Sequence, residues 1–226
     1  MHHLLPISEI ITIDMPGKLL LNVNIYLDPT WHNILRQGSV LTAKQVVKEA
    51  SKLFNHPSLN TKIELINSNV FNSTQQLRPR DTEKIVSQLR SPFEVSGKYS
   101  TGRKYKVAHL YFTAAGRLVT GRGNLESICH EVEKPIAAIK WQESISRTAM
   151  ATAHDIGHVL GMYHDFSAGK DTRTKTCGQK RKGDFLMNYG NSRSQWSDCS
   201  NEDFQIYYEK IVNSQNGFCL EEIHSS

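Results

Sequence analysis

Three histidines and a carboxylate fall in one short stretch. From residue 154 the chain reads His-Asp-Ile-Gly-His-Val-Leu-Gly-Met-Tyr-His-Asp. His154 and His158 are four residues apart, so a helix sets both imidazoles on one face, close enough to share an ion. Gly161 is free to adopt a left-handed conformation, which ends a helix and turns the chain back. His164 then reaches the same ion from the far side of the turn. Three neutral imidazoles with one open position suit a catalytic zinc ion, water being the fourth ligand. Zinc lowers the pKa of that water and polarises a carbonyl. Asp155, beside the first histidine, adds a carboxylate, a group able to accept a proton from a water.

These groups need a scaffold. Residues 144–161 carry Ile145, Ala149, Ala153, Ile156 and Leu160 on one helical face, so this is the helix that presents the histidines. A second C-terminal helix is predicted over 201–212, capped by Ser200 or Asn201. Residues 41–54 read as a helix with Thr42 as cap, and 80–89 as a short one opened by Asp81. Strands are predicted at 19–27, 62–71, 105–113 and 135–141. The segment 118–125 contains Gly121 and Gly123, which makes it an irregular or edge strand. Residues 91–104, rich in Gly, Ser and charge, read as a surface loop. Strands and helices alternate and no repeat or linker interrupts them, so the 226 residues are expected to form one domain, cleft into an upper part (about 1–164) and a lower part (about 165–226).

Bulk properties narrow the function class. The net charge of +5 comes from scattered clusters at Arg78-Pro79-Arg80, Arg103-Lys104 and Lys180-Arg181-Lys182, with no basic stripe interleaved with aromatics, so no nucleic-acid role is expected. No run approaches the roughly 20 apolar residues of a membrane span. The four cysteines, at 129, 177, 199 and 219, include no CxxC pair, which argues against a cysteine zinc site. An even number in the C-terminal half points to two disulfides and an oxidising compartment, the alternative being four reduced thiols in a cytosolic protein. The Asn72-Ser73-Thr74 sequon adds mild support for secretion. The N-terminus lacks the basic and apolar regions of a signal peptide, and His2 and His3 are given no metal role.

The spacing from His154 to His164 resembles the metzincin signature H-E-x-x-H-x-x-G-x-x-H with its later Met-turn. Asp165 after the third histidine resembles the adamalysin, or reprolysin, branch, which includes the snake venom metalloproteases and ADAM-type enzymes. Phe185-Leu186-Met187-Asn188-Tyr189-Gly190 looks like the Met-turn, and Trp196-Ser197-Asp198-Cys199-Ser200 and Phe218-Cys219-Leu220 look like that branch too. The resemblance implies an α/β (α+β) metzincin fold. Its parts would be a mixed, twisted five-stranded sheet with an antiparallel edge strand, a long zinc-binding active-site helix, and an irregular, disulfide-linked C-terminal subdomain. It implies Cys129–Cys219 and Cys177–Cys199 disulfides, Met187 beneath the zinc, and a structural role for Asp165. It further implies a secreted, monomeric endopeptidase that binds its protein or peptide substrate in extended form along residues 118–125. A structural calcium ion is compatible with the family, with no ligands assignable here. In the astacin branch a tyrosine at the offset of Tyr189 approaches the zinc, which makes Tyr189 a candidate fifth ligand or oxyanion donor; the alternative is a packed Met-turn tyrosine.

One position departs from the pattern: Asp155 stands where the family has Glu. The carboxylate is withdrawn by roughly 1.5 Å, one C–C bond, whereas a general base works at about 2.6–3.2 Å or through one water. On reach alone, Asp155→Glu is expected to raise kcat/KM with little change in zinc content. The departure also leaves open a weakly active or inactive metzincin kept as a protein-binding module, such as a toxin or inhibitor. A more remote alternative is an HD-type metal phosphohydrolase, whose His-Asp doublet matches His154-Asp155. It gives Gly161, Met187 and the cysteines no role.

Overall fold

The computed structural model describes residues 15–73, 107–114, 121–129, 135–165, 185–188, 194–214 and 219–223. The first strand, β1 (Lys18–Leu27), alternates its side chains between two faces. Leu19, Leu21, Val23, Ile25 and Leu27 all enter the main hydrophobic core. Asp28 then caps a short helix, α1 (Pro29–Leu35), its carboxylate accepting from the Trp31 N–H at 2.9 Å with Pro29 in the first turn. A 3-10 turn (Arg36–Gly38) leads into α2 (Ser39–Phe54), which buries Ala43, Val46, Val47, Ala50 and Phe54. The helix begins at Ser39 after Gly38, not after Thr42, because the 3-10 turn runs straight into it.

Strand β2 (Lys62–Asn72) lies parallel to β1, the helical connection being what a parallel pair requires. Strand β3 (Ala108–Thr113) is parallel to β1 on its other side, and β5 (Ile136–Lys140) is parallel to β3. The short β4 (Gly121–Gly123) runs antiparallel to β5, and β6 (Glu221–Ile223) antiparallel to the start of β1. The order is β2-β1-β3-β5-β4 with β6 off the path, so the sheet has six strands where five were expected. The sixth is a three-residue pairing too short to show a sequence period. Among the described residues the predicted strand at 118–125 is reduced to Gly121–Gly123, and that at 105–113 starts at Ala108.

Helix α3 (Ile145–Val159) packs with α2 over the apolar face of the sheet, and α4 (Asp198–Val212) follows in the C-terminal part. Ser197 caps α4, accepting from the Ser200 N–H, so the helix starts earlier than a cap at Ser200 or Asn201 would place it. The opposite face of the sheet carries buried polar groups at Asn22, Asn24 and His109, where Tyr26 Oη bonds His109 Nδ1 at 3.2 Å and the exposed Asn69 donates to Asn24. A disulfide joins Cys129 to Cys219. Cys199 is disulfide-bonded as well, and its expected partner Cys177 lies outside the described residues. Also outside them are the predicted helix at 80–89, the loop at 91–104, the three basic clusters, the N-terminal histidines and Tyr189. No described helix is long and apolar enough to cross a membrane.

Candidate metal centre

Helix α3 is opened by Ser144, whose side chain accepts from the Arg147 N–H and whose carbonyl accepts from Thr148 Oγ1. It closes in a Schellman motif: the Gly161 N–H donates to the His158 carbonyl and the Met162 N–H to the Gly157 carbonyl, both at 2.9 Å. Gly161 sits at φ +90°, and a Cβ there would come within 2.7 Å of the Tyr207 side chain. Glycine is therefore required twice over, for the left-handed turn and for the close packing of α4 against it.

The turn delivers His164 to the rings of His154 and His158. The three Nε2 atoms form a triangle with sides of 3.1, 3.1 and 3.2 Å. His154 Nδ1 donates to the Leu186 carbonyl at 2.6 Å, and His158 Nδ1 to the Met162 carbonyl at 2.8 Å. Carbonyls only accept, so each of these rings carries its proton on Nδ1 and turns a lone pair inward from Nε2. Two lone pairs 3.2 Å apart repel unless a cation lies between them. Nitrogens this far apart can all lie at the usual Zn–N distance of about 2.0–2.1 Å from one ion, so His154, His158 and His164 would hold a zinc ion. Burial pushes the His158 pKa down to about 3, and a proton on either neighbouring imidazole acts in the same direction. Its ring thus stays neutral, as a metal ligand must.

The two supporting carbonyls, of Leu186 and Met162, are backbone groups that no residue type marks in the sequence. Residues 185–188 form a tight turn, the Leu186 N–H donating to the Gln195 carbonyl at 2.8 Å and the Asn188 N–H to the Phe185 carbonyl at 3.1 Å. That turn aims the Leu186 carbonyl at His154. Met187 is fully buried against Gly157, where a Cβ would lie 2.8 Å from its sulfur and 3.2 Å from the Trp196 ring. Trp196 is itself fixed by Nε1 donating to the Leu53 carbonyl and by its ring against Phe54. Asp165 is buried, its backbone N–H donating to the Met187 carbonyl and Oδ1 accepting from Ser197 Oγ at 2.5 Å. Burial holds its carboxyl above the usual carboxylate range, and the Ser197 bond partly offsets this. Asp165 thus ties the third histidine to the cap of α4. Glycine at 157 was the available signal for the Met187 contact, since a glycine inside a helix usually has a packing reason.

Asp155 is 2% exposed and faces β4. Its Oδ2 has no hydrogen-bond partner among the described residues. Desolvation pushes its pKa well up, and the Gly123 backbone N–H offsets only part of that.

A model of metallo-peptidase family M12, of the reprolysin type, matches residues 37–205, about three quarters of the chain, including every residue of the centre. The chain belongs to metallo-peptidase family M12. It is a reprolysin-like metalloprotease domain, and membership in this zinc-dependent family suggests a zinc-dependent protease. It is similar to human disintegrin and metalloproteinase domain-containing protein 9, with 32% identity over 121 residues. That match covers 53% of this chain and 13% of the relative, so it concerns a small part of the longer protein. A chain in a solved structure of a chaperone–substrate complex shares the fold, with a TM-score of 0.52 and 13% identity over 84% of this chain and 35% of that one. The M12 match and the six-stranded sheet leave no ground for the HD-type phosphohydrolase reading, which needs a mostly helical chain.

Proposed function

We propose that this M12 domain is a secreted zinc endopeptidase with a metzincin fold, its zinc held by His154, His158 and His164. The observation that carries the reading is the triangle of Nε2 atoms 3.1–3.2 Å apart, two of them stripped of protons by carbonyls behind the rings. The Cys129–Cys219 disulfide supports the secreted assignment, and a Cys177–Cys199 bond would complete a disulfide-linked lower subdomain at 165–226. Bound zinc would supply a Lewis acid that acidifies a water and polarises the scissile carbonyl.

The chain's own residues do the rest. Strand β4 ends the sheet, and an extended peptide adds to it through main-chain hydrogen bonds. The Asp155 carboxylate takes a proton from the attacking water as its oxygen bonds to the carbonyl carbon. It then gives that proton to the amine nitrogen as the C–N bond breaks. Met187 and Gly157 pack beneath the histidines, and Asp165 holds the loop that carries the third.

A second reading, a weakly active or inactive domain that binds proteins, draws on the burial of Asp155 against β4, which leaves its carboxylate little access to a water. The two separate on Asp155→Asn. An endopeptidase keeps its zinc and loses a factor on the order of 10²–10⁴ in kcat. A binding module shows no hydrolysis above that of the variant, with metal content equal in both.

A further inference from the structure

Gly121 and Gly123 pair with Ile139 and Ala137 of β5, both core residues, so the two glycines face the helix-covered side of the sheet. There they meet Asp155. A Cβ at residue 121 would lie 1.8 Å from Asp155 Oδ2, 2.9 Å from its Cγ and 2.8 Å from the Ala138 carbonyl oxygen. A Cβ at residue 123 would lie 2.1 Å from the Asp155 main-chain oxygen. At this point strand and helix are in backbone contact, and any side chain on either glycine would separate them. Asp155 Oδ2 lies no more than about 3.3 Å from the Gly121 Cα, given a C–C bond of about 1.5 Å.

We infer that Gly121 and Gly123 are positioning residues for Asp155, forming with it a matched set in which a short carboxylate is clamped by a side-chain-free strand. Gly123 lets the strand seat on the Asp155 main chain, and Gly121 closes the space beyond Oδ2. The strand that ends the sheet and the carboxylate beside the first histidine therefore move as one unit. This inference rests on the reading of Asp155 as the base, and it accounts for an aspartate at that position: β4 fills the space that an extra methylene would need. A peptide docked on β4 presses on the same backbone that packs against Asp155.

The test is a double-mutant cycle between Gly121→Ala and Asp155→Ala, read by thermal unfolding, zinc content and peptide hydrolysis. Gly121→Ala alone is expected to retain zinc, unfold several degrees lower, and lose on the order of 10–100-fold in kcat, as a misplaced reacting group does. In the Asp155→Ala background, where Oδ2 and Cγ are gone, the same substitution should lower the unfolding temperature much less. If Gly121→Ala fails to fold, Asp155→Ala should restore folding to the double variant. Additive losses in stability, or a double variant that stays unfolded, overturn the clamp. Full hydrolysis by Asp155→Ala would instead remove the role of Asp155 as base while leaving the stability coupling intact, so the two failures are distinguishable. A Gly121→Ala enzyme with unchanged kcat also overturns the inference.

Discussion

Replacing Asp155 by glutamate adds one methylene and sets two effects against each other. The longer side chain extends the carboxylate by about 1.5 Å, which favours contact with the attacking water. The structure allows that extension only at the expense of β4. Oδ2 is already packed against Gly121, and the Asp155 main chain against Gly123. The glutamate must push the strand outward, an overpacking cost that predicts a loss of stability of about 1–3 kcal/mol. For a chain of this length each kcal/mol lowers Tm by about 2–4 °C. If the whole cost falls on the transition state, kcat/KM drops by up to roughly 150-fold, at tenfold per 1.36 kcal/mol. Circular dichroism melting and hydrolysis of a quenched peptide, at matched zinc content, measure both. An Asp155→Glu enzyme that is as stable as the parent and faster refutes the crowding argument and restores the one based on reach.

Two further outcomes follow from the supports. Gly157→Ala puts a methyl group 2.8 Å from the Met187 sulfur and 3.2 Å from the Trp196 ring, displacing the turn whose Leu186 carbonyl orients His154. Zinc affinity, measured by competition with a chelating dye, should fall about 10–100-fold, as losses of ligand-orienting contacts do, and an unchanged Kd would show that the turn and His154 are not coupled. Replacing Cys129 and Cys219 together by alanine opens a loop with a sequence separation of 90. Chain entropy puts the loss at about 4.6 kcal/mol, an upper limit because the disulfide through Cys199 falls inside the same loop. Urea unfolding that shows a loss below about 1 kcal/mol would mean that the native state is strained by the bond.

The convergence of the three histidines was legible because its information is local. An i,i+4 pair of histidines on an amphipathic stretch, followed by a glycine, dictates a shared face and a turn with no knowledge of the rest of the chain. The strands β1, β2, β3 and β5 were readable for a similar reason, as runs of β-branched and apolar residues. Helix α1 was missed although Asp28 and Pro29 mark its start, since seven residues are too few to show a period. The cap of α4 was placed late because Ser197, Ser200 and Asn201 are all suitable residues, and only the hydrogen bond from the Ser200 N–H distinguishes them. The confinement of Asp155 could not be read at all. It depends on the separation of a helix and a strand more than 30 residues apart, and glycines at 121 and 123 indicate an irregular strand as readily as a close approach. The shorter carboxylate therefore looked like a deficit of reach, where the structure has a strand occupying the missing length.

The account depends most on three imidazoles sharing one ion that the hydrolysis requires. Elemental analysis of the purified chain, with peptide hydrolysis assayed before chelation, after it, and after zinc is returned, tests this directly. The prediction is one zinc per chain, hydrolysis lost on chelation and recovered with zinc, and neither metal nor hydrolysis in His154→Ala. Protein without stoichiometric metal, or hydrolysis that persists when the metal is removed, would contradict it.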